Sequence, residues 1–223
     1  MKKRLCLLLA ASCLIFALAG CKDSSETPSE VSAENTEGVV NTDSSEKSET
    51  AGDVEVIVSD DKLSLQLQIN NDLYNFPMKY EEFIAMGWEN EDETAEEVDT
   101  ETTRIVFMKK DGLRIQVYVR NVDADNTKPV EECLVGGVGI SDSDLEAAPD
   151  TKVFLPGGFE CFTASAQAVR DEFGTPSMDS IDSDTSVLVE YEYDSFKILS
   201  FKFPNEEDSL SYLYLENFAD QVK

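Results

Sequence analysis

From Val54 onward the sequence predicts an α+β fold: two loosely repeated units, each one helix followed by antiparallel strands, with the helices packed on curved sheet. Three observations predict it. Apolar and polar residues alternate over several short stretches, the period of a half-buried strand. Two segments, near 78–86 and 163–173, instead carry apolar residues at helical spacing, each with a proline before it and a glycine after it. Residues that favour turns separate these stretches.

The first unit spans residues 54–146. Leu63, Leu65, Leu67 and Ile69 alternate with Ser64, Gln66 and Gln68, which predicts a strand. Asn70-Asn71-Asp72 supplies a turn, and Leu73 to Phe76 returns as a short strand. Pro77 can open a helix over 78–86, in which Tyr80, Phe83 and Ile84 share a face and Gly87 fits the C-terminal cap. An acidic stretch, Glu89 to Glu101, leads to strands at Thr103–Met108 and Leu113–Asn121, joined by a hairpin turn at Lys110-Asp111-Gly112. A fourth strand falls at about Cys133–Ile140.

The second unit spans 147–223. Val153 to Gly158 leads into a helix over Thr163–Phe173, with Thr163 as N-cap and Ala166, Val169, Arg170 and Phe173 at helical spacing. Gly174-Thr175-Pro176 stops it, because proline cannot continue a helix. Strands follow at Ser186–Tyr193, Phe196–Phe203 and Ser209–Asn217, joined by turns at Asp194-Ser195 and Pro204–Asp208.

The N-terminal segment carries an address. Lys2, Lys3 and Arg4 precede an apolar run of 14 residues, Leu5–Leu18. A membrane span needs about 20 such residues, so residues 1–20 read as an export signal. The run ends in Leu18-Ala19-Gly20-Cys21, which resembles the lipobox of bacterial lipoprotein signal peptides. The resemblance implies cleavage between Gly20 and Cys21, a diacylglyceryl group on the Cys21 thiol, and anchoring to a membrane outside the cytoplasm. Two acyl chains suffice for stable anchoring, where one is marginal. The alternative is an ordinary secretory signal in which Cys21 falls by chance. Residues 21–53 then read as a lipid-anchored, disordered Ser/Thr/Glu-rich linker. Of the 32 residues after Cys21, 11 are Ser or Thr and nine are acidic, so there is too little apolar surface to offset ordering entropy.

The motifs Tyr74-Asn75-Phe76-Pro77, Tyr80, Gly87-Trp88, Leu155-Pro156-Gly157-Gly158 and Phe173-Gly174-Thr175-Pro176 resemble those of uncharacterised lipoproteins of Gram-positive gut bacteria. The order of helix, Gly-x-Pro and hairpin is also similar to the BamE (SmpA/OmlA) domain and to the β-lactamase inhibitory protein fold, which uses two such units. The chain reads as a lipid-anchored surface protein with a non-catalytic binding or envelope-structural module, and the second resemblance implies the alternative, an inhibitor of a secreted or periplasmic enzyme. The chain departs from the pattern where Cys161-Phe162 stands before Thr163 in place of Gly-Met or Gly-Ser.

Composition excludes several functions. The chain has 223 residues, 46 acidic against 18 basic, and no histidine. Such a body repels DNA and RNA, which are bound chiefly through phosphate neutralisation. No histidine means no Ser-His-Asp or Cys-His nucleophile pair and no histidine-ligated zinc. No catalytic residue, metal site or cofactor site stands out. A carboxylate-dependent hydrolase is the remaining catalytic option, and no single pair of acids presents itself among so many.

Two features remain. Cys6 and Cys13 lie in the signal, which leaves Cys133 and Cys161 either to form a disulfide closing a loop of 29 residues or to stay as buried thiols. Residues 104–120 reverse the charge of the domain, with Arg104, Lys109, Lys110, Arg114 and Arg120 against Asp111 alone. Alternation places Arg114, Gln116, Tyr118 and Arg120 on one face, and Arg and Tyr are enriched at binding hot spots. The face reads as a recognition surface for an anionic wall polymer, a carbohydrate or a protein partner, or as charge neutralised by the acidic stretch upstream. Asp-rich turns at Asp123–Asn126, Asp142–Asp144 and 179–184 lack the glycine and closing glutamate of a calcium loop.

Overall fold

The computed structural model describes residues 54–91, 97–182, 186–219 and 221. The expected signal, Gly20, Cys21 and the linker lie outside the described residues, as does part of the acidic stretch. In chain order the elements are β1 (Leu67–Ile69), β2 (Asp72–Tyr74), β3 (Met78–Lys79), helix α1 (Tyr80–Ala85), β4 (Glu89–Asn90), β5 (Glu97–Val98), β6 (Thr103–Lys110) and β7 (Leu113–Arg120). Then come β8 (Lys128–Pro129), β9 (Leu134–Ser141), α2 (Asp142–Glu146), β10 (Val153–Leu155), β11 (Phe159–Glu160) and α3 (Ala166–Phe173). Four more strands follow: β12 (Met178–Asp182), β13 (Ser186–Asp194), β14 (Lys197–Phe203) and β15 (Tyr212–Asn217).

Every strand pairing is antiparallel. A nine-stranded sheet runs β12-β13-β14-β15-β9-β7-β6-β4, with β3 also on β9. A four-stranded sheet runs β11-β10-β1-β2, and β5 pairs with β8. This overturns the expected α+β fold of two repeated units with helices packed on curved sheet: the domain is mostly antiparallel β-sheet. The helices have only six, five and eight residues, too few to form a layer. Nor do the strands sort into two sets. β15, from the second expected unit, pairs with β9 from the first, with Tyr214 opposite Gly139. The helix-then-strand order does repeat along the chain, but that order is silent on which strands pair.

Local differences have local causes. Leu63 sits in a 3-10 turn, Lys62–Ser64, capped by Asp61, and is 53% exposed; only Leu67–Ile69 of the expected strand pairs. Helix α3 begins at Ala166 because Ser165, not Thr163, accepts the Ala168 N–H on its side chain. Helix α2, which the sequence did not suggest, is opened by a capping box in which Ser141 and Asp144 satisfy each other's backbone N–H groups.

One face of the large sheet forms the core. Val106, Met108, Ile115, Val117, Val138, Ile140, Leu199, Phe201, Leu213 and Leu215 are buried in a single cluster with Phe83 of α1 and Val169 of α3. Burying each such side chain stabilises by roughly 1.5–3 kcal/mol. Phe173 of α3 lies 5.8 Å from the Tyr191 ring and 5.6 Å from Phe201, which fixes the helix on β13 and β14. At the other end, Phe83 stacks on Trp88 at 5.4 Å. With the helices on the core side, the opposite face of the central strands is where the predicted recognition residues fall.

Candidate functional site

Strand β7 alternates as the sequence predicts. Ile115, Val117 and Val119 point into the core, while Arg114, Gln116 and Tyr118 point outward. Opposite Tyr118 and Gln116 on this outer face, its neighbour β9 offers only Gly137 and Gly139. On the far side of β9, β15 presents Tyr212, Tyr214 and Glu216. Strands two apart are separated by roughly 9–10 Å, yet the Tyr118 and Tyr214 rings meet at 4.8 Å, edge to face. The rings lean in from both sides over strand positions that have no side chain, the arrangement by which aromatic residues cover glycines in sheets.

Hydrogen bonds fix this cluster. Gln116 Oε1 accepts from the Tyr212 hydroxyl at 3.1 Å and from the Tyr118 hydroxyl at 3.3 Å. The Tyr214 hydroxyl donates to Glu216. Burial pushes the Tyr118 hydroxyl well above its ordinary pKa, reinforced by its contact with Tyr212 and by the Glu216 charge. Burial also raises Glu216, which Arg120 partly offsets. Around the tyrosines lie Phe107, half-buried, and Ile105, 45% exposed on β6.

The two arginines occupy different environments. Arg114 is exposed; its Nε donates to Glu91 at 2.6 Å and its guanidinium stacks over Phe107 at 3.9 Å. Arg120 is only 8% exposed. It donates to Thr103 Oγ1 at 3.0 Å and lies 4.7 Å from the Phe196 ring, while its Nε has no partner among the described residues. Lys110 is engaged by Asp72 and the Met86 carbonyl and Arg104 by the Glu97 carbonyl, while Lys109 is exposed beside Arg114 on the outer face. The described part of the acidic stretch lies along this hairpin, with Glu89 opposite Lys109 and the Glu91 N–H donating to Phe107 O at 2.9 Å. Of the two readings of the charge reversal, neutralisation by the upstream acids accounts for Arg114.

The structure brings Gln116 and Tyr118 together with the tyrosines of β15 and sets Arg114 and Arg120 at the margins. Cys133 and Cys161 are both free and buried, so the disulfide alternative is not formed. Among the described residues no group of three or more Cys, Asp and Glu is placed to hold a metal ion. Asp123 instead caps its own turn, accepting from the N–H groups of Asp125 and Asn126 at 2.9 and 3.1 Å, and pairs with Lys128.

No protein family, curated protein or solved structure matches this chain. Function is therefore argued from its own residues. Those that the sequence reading missed are Tyr212, Tyr214 and Phe107. The alternation Tyr212-Leu213-Tyr214-Leu215-Glu216 puts two tyrosines on one face, and it becomes informative only once β15 is known to lie beside the glycines of β9.

Proposed function

We propose that this chain is a lipid-anchored extracytoplasmic surface protein whose domain is a non-catalytic binding module, and that a protein partner docks on the outer face of the large sheet. One observation carries the reading: Tyr118, Tyr212, Tyr214 and Phe107 form a half-buried aromatic surface on rigid strands, bordered by Arg114 and Ile105. Tyrosine and arginine are the residues enriched at protein interfaces and their hot spots. Rings already held by Gln116 and by one another lose little freedom on docking. A protein is favoured over an anionic wall polymer because Arg114 is paired with Glu91 and Arg120 is buried, which leaves Lys109, itself opposite Glu89, as the exposed cation of the face. The lipobox-like Leu18-Ala19-Gly20-Cys21 supports the anchor, and the linker gives the domain reach from the membrane.

The test has two arms, both in the full chain. Labelled palmitate should enter the wild type but not Cys21→Ser, and the variant should leave the membrane fraction; label on the variant would refute the anchor. A photo-crosslinking residue at position 105 should capture a defined partner that is lost when Tyr118→Ala and Tyr214→Ala are combined. The same capture from Val122, which is 40% exposed outside the sheet, or persistence in the double variant, would refute the face.

A further inference from the structure

Away from the aromatic face, a cleft of about 270 Å³ opens between the turns that join β1 to β2 and β6 to β7. Its floor is built from two side chains that the core holds rigid. Tyr74 is 1% exposed and Trp88 is 2% exposed, and Trp88 Nε1 donates to the Tyr74 hydroxyl at 2.8 Å. The hydroxyl oxygen is thus occupied as an acceptor, while its own proton has no acceptor among the described residues. The hydroxyl therefore keeps one hydrogen-bonding position open in the cleft that it lines.

The walls carry the complementary chemistry. Asp72 and Asp111 line the cleft with Tyr74, and their charges add to the effect of burial in raising its hydroxyl. Lys110 is already held by Asp72 and by the Met86 carbonyl at 2.6 Å. The side chains of Asn71, Asp111 and Thr151 also line the cleft and make no hydrogen bond to any described residue. The turn positions Asn70 and Asp111 have φ of 53° and 49°, a region that Asn and Asp tolerate better than most residues.

These groups select among ligand classes. A metal cation would face the Lys110 ammonium and the Tyr74 proton. An anion would face Asp72 and Asp111 in a domain with 37 acidic against 13 basic residues. An amine could satisfy the carboxylates but would leave the Tyr74 proton without an acceptor. A hydroxyl both accepts and donates, and several on one small ring would serve Tyr74, Asp111 and Asn71 at once. Ligand pockets typically start at about 300 Å³, so this cleft suits one small unit rather than a chain. We propose that it binds a single neutral sugar residue, free or at the end of a glycan.

Trp88 is the only tryptophan, so its emission reports on this cleft alone. The full chain in detergent is titrated with D-glucose, D-galactose and N-acetylglucosamine, with putrescine and inorganic phosphate as cation and anion controls. At least one sugar should change Trp88 emission saturably and show saturation transfer by NMR. Asp111→Asn, at an exposed turn, and Tyr74→Phe should each weaken that binding about tenfold or more, the worth of one hydrogen bond to a charged or buried partner. Three results would each overturn the site: no saturable response to any sugar, a response to putrescine or phosphate instead, or binding unchanged in a folded Asp111→Asn variant.

Discussion

Two glycines on β9 should differ in what the same added methyl group costs. A Cβ built on Gly136 would lie 2.1, 2.2 and 2.4 Å from atoms of the Phe218 ring, which is fully buried. That ring has no room to retreat, so Gly136→Ala must displace β9 or the segment after β15. Overpacking of this kind costs about 1–3 kcal/mol. A Cβ on Gly139 would lie 2.2 Å from the Tyr212 hydroxyl oxygen and 3.3 Å from Gln116 Oε1. Here the obstacle is the far end of a half-exposed side chain, which can swing into solvent. Gly139→Ala loses the Tyr212–Gln116 hydrogen bond, about 0.5–1.5 kcal/mol, and regains about 0.5–1 kcal/mol because alanine has less chain entropy to lose than glycine. The net change should stay within about 1 kcal/mol. Urea unfolding followed by Trp88 fluorescence measures both. A Gly136→Ala protein with the wild-type midpoint, or a Gly139→Ala protein less stable than the Gly136→Ala protein, would refute this account of β9. The second variant also separates function from folding: it should remain folded, disturb the tyrosine cluster and lose the cross-linked partner.

Other consequences can be checked with the same preparations. Arg170 forks onto Asp179 through two bonds of 2.8 Å and onto Glu206 at 2.7 and 3.1 Å, tying α3 to edge strand β12. Lysine cannot make both forks, so Arg170→Lys should cost about 1 kcal/mol, at the low end for charge-assisted bonds because both carboxylates stay partly solvated, and should speed amide exchange in β12. Glu216 is raised by burial, so it contributes stability that is fully present below the ordinary glutamate pKa and lost as pH rises through its folded value. Glu216→Gln should therefore stabilise the protein at neutral pH relative to wild type and flatten that part of the pH profile; an unchanged profile counts against the burial. The Cys133 thiol is pushed up to about 11 and Cys161 higher still, both mainly by burial. Iodoacetamide at neutral pH should label neither until urea unfolds the chain, when mass spectrometry should find both; a bridge between them would contradict the structure.

Much of the strand content was legible because alternation is a local signal. Thr103–Lys110 and Leu113–Arg120 form around the expected turn at Asp111-Gly112, and the outward set Arg114, Gln116 and Tyr118 follows from their spacing alone. What local signals do not carry is partnership. Gly137 and Gly139 look like weak points in a strand until β15 is laid beside them, and Tyr212 and Tyr214 look like ordinary strand residues until the glycines leave them room. Arg120 illustrates the same limit. Its alternation is outward, but Thr103 across the hairpin and Phe196 from the β13–β14 turn cover it, and 76 residues separate Arg120 from Phe196 in the sequence. The fold class failed for this reason too, since two similar runs of helix and strands can build two units or, as here, share a sheet.

The charge of the outer face leads to a final prediction. The domain is strongly acidic, yet at physiological ionic strength charges act over only about 8 Å, so a docking partner senses the groups on the face rather than the total. Those groups are nearly balanced: Arg114 pairs with Glu91 at 2.6 Å, Lys109 stands opposite Glu89, Arg120 partly offsets the Glu216 carboxylate, and tyrosines lie between them. Docking driven by aromatic contact on a balanced surface should depend little on salt. An anionic polymer held by Arg114 and Arg120 would instead be released as counterions compete for it. Retention of the partner by the full chain, measured from about 50 to about 500 mM NaCl, should change less than about threefold, and Arg114→Glu should weaken it less than Tyr118→Ala. A steep loss with salt, matched by a larger effect of Arg114→Glu, would move recognition from the tyrosines to the arginines and restore the anionic polymer as the ligand.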